Sequence, residues 1–157
     1  RLAQIASFLT QKDFVMNALL DCRTPADVER LFGVEASPYW SSHFIPAELS
    51  EDIPKRIGRE KSNLLGINLV APLQYAYGSY IDNERLRERA IALLEAIPTE
   101  NNQYMRRWAG YGIKAHNAFE SQALLQIATE YCKPERCEEC PIGMRIIEKA
   151  VAEREGR

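Results

Sequence analysis

The sequence lacks most of the features that would assign it to a membrane, a secretory route or a common enzyme class. Its 20 Lys and Arg are balanced by 22 Asp and Glu, a formal net charge of −2 over 157 residues. No overall positive field therefore draws in nucleic acid or an anionic membrane, and any such binding must use a local patch. The longest apolar stretch, Leu64 to Tyr77, is interrupted by Asn68, Pro72 and Gln74. It falls short of the ~20 residues that span a bilayer. No charged segment leads into an apolar one at the start of the chain, so nothing argues for secretion, and the cytoplasm is the expected location. There are only 2 histidines, His43 and His116. Neither pairs with Ser and Asp, or with Cys, at a helical spacing, so both read as structural. A Gly-rich phosphate loop and a His-Glu-x-x-His motif are absent. Nothing in the chain therefore commits it to catalysis. Alternating apolar and polar runs, Asn-Gly or Asp-Gly turns, internal repeats and low-complexity tracts are missing too, which leaves no sheet to place.

What remains is helical periodicity. With 46% hydrophobic residues, the chain is long enough for one buried core and short for two, so a single domain over 1–157 is expected. It opens without Met in running helix, as a fragment of a longer protein would. Leu2, Ile5, Ala6 and Leu9 fall at i, i+3, i+4 and i+7, and the apolar pattern continues to about Cys22 with a break near Asp13. Thr24-Pro25 starts a second helix that Gly33 stops. Residues 34–57 carry Pro38, Pro46 and Pro54 among large apolar anchors, which reads as an ordered loop packed on the core. From about 59 to 80 the chain is apolar nearly all round, which predicts a central helix enclosed by others, kinked at Pro72 and closely approached at Gly66. Asp82 is the expected cap of an amphipathic helix with a Leu86, Ala90, Leu93, Leu94, Ile97 stripe. Pro98 ends it, Thr99 caps the next, and Gly110 and Gly112 form the exit of that one. Further helices are expected over 118–131, with Phe119, Ala123, Ile127 and Tyr131 as its stripe, and over 142–152. The fold class is all-α, a compact bundle of about six to seven helices around the central apolar helix.

The densest chemistry is Cys132-x4-Cys137-x2-Cys140, with Pro134 and Pro141 stiffening its turns. Short loops of this kind can converge thiols on a soft metal or a cluster, so zinc or iron–sulfur binding is one reading. A fourth ligand would have to come from Cys22, His43 or His116. Two readings stand beside it: inert thiols in a helix-entry turn, and thiol redox chemistry at a Cys-x-x-Cys that opens a helix. The most basic run is Lys55, Arg56, Arg59 and Lys61, and Arg106-Arg107-Trp108 adds cations beside an aromatic. Such groups can hold phosphates and stack a base. Asn63, Asn68 and Gln74, in or beside the central helix, are expected to form an interhelical polar network.

From Gln122-Ala123-Leu124-Leu125-Gln126 through Cys132 to Pro141, the chain resembles the iron–sulfur end of helix-hairpin-helix DNA glycosylases, whose ligands are spaced Cys-x6-Cys-x2-Cys-x5-Cys. Here the first spacing is two residues shorter and the last ligand position is Ile146, so a four-cysteine cluster of that type cannot form. The hairpin turn and the base-chemistry residues of those enzymes are absent, and base excision does not carry over. A broader resemblance rests on Arg1-Leu2-Ala3-Gln4, Tyr39-Trp40-Ser41-Ser42-His43-Phe44, Asn63-Leu64-Leu65, Asn68, Pro72-Leu73, Tyr77-Gly78, Trp108, Ser121-Gln122-Ala123-Leu124-Leu125 and the cysteine motif. Together these are similar to the C-terminal half of a bacterial family, domain of unknown function twenty-eight fifty-one. That resemblance implies a preceding N-terminal domain with a restriction-endonuclease-type fold as the partner. The functional expectation is a non-catalytic helical accessory domain of a nuclease-like protein, contacting nucleic acid through a local basic run. The alternative is a structural or oligomerising domain with a three-cysteine metal or thiol site.

Overall fold

The computed structural model describes residues 2–11, 14–53 and 56–155. These are mostly α-helical and fall into two compact units, residues 1–98 and 99–157.

In the N-terminal unit, α1 (Leu2–Gln11) and α2 (Val15–Asp21) come from the first periodic stretch. The expected break at Asp13 lies outside the described residues. α3 (Pro25–Phe32) begins where its capping signal predicts: Thr24 Oγ1 accepts from the Asp27 N–H at 3.2 Å, and Asp27 Oδ2 accepts from the Thr24 N–H at 3.0 Å. This reciprocal pair satisfies two donors that a helix start otherwise leaves open. The Thr24 hydroxyl, then the Arg23 N–H, hold the Asp27 carboxyl below the usual aspartate range.

The apolar central stretch forms α4 (Arg59–Leu65), a π-helical turn over Gly66–Val70, and α5 (Ala71–Tyr80). The wide turn sits immediately before Pro72, which has no N–H to donate and whose ring crowds the carbonyl four residues back. Opening the helix by one residue, so that the Ala71 N–H reaches the Gly66 carbonyl, accommodates this without a break. The Asn68 side chain donates to the Leu64 carbonyl at 2.9 Å, within the same stretch. α6 (Glu84–Ala96) follows, with Leu86, Ala90, Leu93 and Ile97 buried as its periodicity requires and Leu94 half-buried. Where the helices approach, side chains must be small. A Cβ on Gly66 would lie 2.7 Å from Ile97 Cδ1, and one on Gly78 would lie 3.1 Å from the Arg87 N and the Asn83 carbonyl oxygen.

A polar clamp joins these helices. The buried Gln74 Nε2 donates to the carbonyls of Leu19 at 2.9 Å and Cys22 at 2.8 Å, and Arg89 Nη1 donates to that of Leu20 at 2.9 Å. These are carbonyls at the C-terminal end of α2, which no further turn of helix satisfies. The Cys22 thiol donates to the Ala18 carbonyl at 3.3 Å in the same corner.

The structure corrects several expectations. Residues 34–57 contain a two-stranded antiparallel ladder, β1 (His43–Ile45) with β2 (Glu48–Leu49), where no sheet was expected. Its turn runs through Pro46 and Ala47, the latter at φ 65°, so it uses none of the Asn-Gly or Asp-Gly chemistry that announces a hairpin. Tyr39 holds the turn instead: its hydroxyl accepts from the Ala47 N–H at 2.8 Å, and its ring stacks on His43 at 4.0 Å. Of the expected anchors of this segment, Tyr39, Phe44 and Ile53 are exposed and Trp40 is half-buried, rather than packed on the core. The central stretch is not enclosed on all sides, since Leu64, Leu69, Tyr75 and Tyr80 are exposed. Ile5 and Leu9 of α1 also face outward, while Gln4 is buried and Phe8 meets Phe32 at 5.1 Å. Of the expected polar network only Gln74 is buried; Asn63 is half-buried and Asn68 exposed. Finally, Asn83 rather than Asp82 caps α6, its Oδ1 accepting from the Leu86 N–H at 3.1 Å. Asp82 is left-handed at φ 51° and pairs with Arg87 at 3.3 Å.

Replacing Gln74 with Leu keeps the volume but leaves the Leu19 and Cys22 carbonyls without their donor. The expected cost is about 1–3 kcal/mol, read as a lower urea midpoint at unchanged slope.

Candidate functional site

The C-terminal unit comprises α7 (Gln103–Gly110), α8 (Ala118–Ile127) continued by a π-helical turn over Ala128–Cys132, a 3-10 turn at Cys137–Glu139, and α9 (Pro141–Glu155). Asparagines start the first two. Asn102 Oδ1 accepts from the Tyr104 and Met105 N–H groups, both at 3.0 Å, displacing Thr99 as the expected cap, and Asn117 Oδ1 accepts from Glu120 N–H at 2.9 Å. Gly112, at φ 82°, provides the left-handed exit from α7. Trp108 ties α7 to α8 by donating its Nε1–H to the Leu124 carbonyl at 3.1 Å. On α8 the expected stripe is displaced: Phe119 and Ala123 are exposed, and Ala118 and Ser121 are the buried residues.

Between these elements lies a cavity of about 730 Å³, within the range of small-molecule sites. Tyr104, Trp108, Tyr111 and Tyr131 supply aromatic walls, and Ile142 and Ile146 line it from α9. Its cations are Arg107 and Lys133, and no carboxylate lines it among the described residues. Cys132, Cys137 and Cys140 all border the same cavity. The aromatic walls are ordered by contacts of their own. Tyr111 meets Trp108 edge-on at 6.4 Å, its hydroxyl lies 3.5 Å from Arg107 Nε, and the Arg136 guanidinium sits 5.8 Å over the Tyr131 ring.

The cysteine turn is tightly built. Glu135 sits at φ 59°, and the Arg136 N–H reaches back to the Tyr131 carbonyl at 2.9 Å. Arg136 also pairs with Glu139, Nε to Oε1 at 3.0 Å. Gly143 lies against the turn so closely that a Cβ there would stand 2.3 Å from the Cys137 carbonyl oxygen. Cys140 is buried, while Cys132 and Cys137 are exposed. Although they border one cavity, no three or more His, Cys, Asp or Glu side chains among the described residues are grouped so as to hold a metal ion. The candidate fourth ligands have other settings. Cys22 is buried in the N-terminal unit, and burial, then Asp27 and Asp21, push its thiol up to about 11. His43 Nδ1 lies 2.8 Å from the Tyr39 carbonyl oxygen, and His116 Nδ1 lies 3.0 Å from Glu120 Oε2. The His116 N–H, then its ring, hold the Glu120 carboxyl below its ordinary range.

The expected nucleic-acid residues are not one cluster. Lys55 lies outside the described residues. Arg56 is exposed, with its guanidinium against Gly33, and Lys61 is exposed. Arg59 pairs with Glu29 at 3.4 Å, which offsets its charge. Arg106 and Arg107 diverge: Arg106 turns back to Asn101 Oδ1 at 3.0 Å, and only Arg107 reaches the cavity. Tyr104, Tyr111 and Tyr131 were missed by sequence reasoning as site residues. Tyr104, Arg107, Trp108 and Tyr111, at i, i+3, i+4 and i+7, are the signal that could have found three of the four aromatics.

Fold and site together define a helical protein whose C-terminal unit carries an aromatic, cation- and thiol-lined cavity. No helix among the described residues is long and apolar enough to cross a membrane. The family described as Protein of unknown function (DUF2851) matches residues 1–103, and the chain belongs to it. The match takes in the whole N-terminal unit and ends at Gln103, before Trp108, the 121–125 segment and the cysteines. No curated protein and no solved structure matches the chain.

Two outcomes follow from the site. Gly143→Ala must push the Cys137 backbone aside, at a cost of about 1–3 kcal/mol, visible as a lower thermal midpoint and faster amide exchange over 132–143. Cys22 should resist iodoacetamide in the native protein and label only when denaturant opens the core. Native labelling at the rate of an exposed thiol would contradict its burial.

Proposed function

We propose that the chain is a non-catalytic helical accessory domain that contacts nucleic acid, serving a nuclease-like N-terminal domain of the same protein as the family resemblance implies. One observation carries the nucleic-acid reading: the cavity brings two cations, four aromatic rings and, among the described residues, no carboxylate to one place. Single-stranded nucleic acid is bound by this combination, with cations on the phosphates and rings under the unstacked bases. Arg107 is the phosphate contact and Tyr111, exposed at the cavity edge, the stacking platform. Arg56 and Lys61 add cations in the N-terminal unit.

A second reading, an oligomerisation domain, draws on Met144, Ile147 and Val151, which lie exposed at i, i+3 and i+7 along α9.

Fluorescence anisotropy with a labelled single-stranded oligonucleotide distinguishes the two. Binding should weaken as salt rises. Arg107→Gln should lower the salt slope by about one, and Tyr111→Ala should cost about 1–3 kcal/mol. Neutralising Lys55, Arg56 and Arg59 tests the N-terminal run in the same assay. Absence of binding at low salt would sink the nucleic-acid reading, and a dimer mass by light scattering that Ile147→Glu abolishes would favour the second.

A further inference from the structure

We infer that Cys132 is a thiol–disulfide exchange site that accepts an adduct from a small anionic disulfide entering the C-terminal cavity. This is independent of the nucleic-acid reading, because it concerns the thiols that border the cavity and needs no phosphate contact.

The four cysteines have different environments. Cys22 is buried, hydrogen-bonded to Ala18 and held protonated by a raised pKa of about 11, so it is unreactive. Cys140 borders the cavity but is 6% exposed, leaving little of it for an incoming sulfur to reach. Cys132 and Cys137 are exposed and border the cavity, so either could meet a molecule inside it. Cations separate them. Cys132 lies within electrostatic reach of Arg107 and is followed in the chain by Lys133, and both of those side chains line the cavity. Cys137 opens a 3-10 turn whose next residues are Glu138 and Glu139; Arg136 and Glu139 offset each other, which leaves the Glu138 carboxylate outside that pair. An anionic reagent is drawn toward uncompensated cations and away from carboxylates.

The same cations select the reagent. Low-molecular-weight disulfides built from amino acids or peptides carry carboxylates, which Arg107 and Lys133 would receive, while the apolar and aromatic walls hold the chain between them. In the step, the Cys132 thiolate attacks one sulfur of the disulfide R–S–S–R. A Cys132–S–S–R bond forms, the original S–S bond breaks, and R–S⁻ leaves and takes a proton from water. The incoming disulfide is the oxidant, and no other redox partner is needed. A thiol in excess reverses the reaction.

The experiment uses the reduced, intact chain and oxidised glutathione as the probe, with intact mass to count adducts and peptide mapping to place them. A single early adduct on Cys132 is expected, forming about tenfold faster than any on Cys137, and lost in Cys132→Ser. Arg107→Gln should slow it several-fold with oxidised glutathione and by a smaller factor with uncharged hydroxyethyl disulfide, since only the former has carboxylates to lose a partner. Because mapping is done on the wild-type chain, the result does not depend on how any variant folds. Equal rates at Cys132 and Cys137, first modification at Cys137, or an Arg107→Gln rate unchanged with oxidised glutathione would each overturn the assignment.

Discussion

The arrangement of the N-terminal unit depends on how the end of α2 is closed. A helix that stops in the interior leaves carbonyls facing a medium without water, and each such orphan costs on the order of 1–3 kcal/mol. Gln74 from α5 and Arg89 from α6 supply those donors to Leu19, Leu20 and Cys22. The amide lies on the opposite side of the sequence from its partners, so α2 can end there only if α5 and α6 are already placed. The clamp therefore couples three helices that local propensity alone would leave independent. The burial of Leu93, Val70 and Val28 supplies apolar stabilisation, while the Gln74 amide closes the α2 carbonyls through its nitrogen and leaves its own buried Oε1 without a hydrogen-bond partner among the described residues.

That placement depends in turn on the π-helical turn. Pro72 would break an ordinary helix interior at a cost of ~3 kcal/mol. Widening the preceding turn keeps α4 and α5 connected across it, with Ile67 and Val70 directed inward. Gly66, at the start of the same turn, has no side chain because Ile97 and Val28 already occupy the space. Proline, glycine and the polar Asn68 thus act within one turn, and together they bring Gln74 to the end of α2.

The C-terminal unit is held differently. Ala118, Ser121 and Cys140 are its buried residues among those described, and none is large. Tyr104, Trp108, Tyr111 and Tyr131 instead line an open cavity, with Trp108 tied to the backbone by its hydrogen bond to Leu124. Apolar area left accessible in this way stabilises the unit less than a closed core would, and it leaves a ligand-sized space. Cys132 and Cys137 remain reachable for the same reason, whereas Cys22, enclosed by the N-terminal core, does not.

The sequence alone determined the elements whose signals are local. Thr24-Pro25 and Gly33 bounded α3, Leu86, Ala90, Leu93 and Ile97 of the α6 stripe were buried as written with Leu94 half-buried, and Pro72 marked the distortion and Gly66 the close approach of the central stretch. Their signals, a cap, a periodic stripe, a missing proline donor and a missing side chain, are each read within about a turn or two of chain, which a sequence displays directly. The site was half legible: Arg107, Trp108 and the three cysteines were singled out, but the tyrosines and the cavity were not. The tertiary structure decided what depends on which surface is covered. It turned Ile5 and Leu9 outward and Gln4 inward, built a hairpin held by Tyr39 without an Asn-Gly or Asp-Gly turn, and parted Arg106 from Arg107 along one helix. It also decided the standing of the cysteine motif. Spacing brings three thiols near one another, but it is packing, including that of α9 against the Cys137 backbone at Gly143, that buries Cys140 and leaves Cys132 and Cys137 exposed at the cavity they share. Burial and the directions of side chains come from elements distant in the chain, and no local spacing encodes them.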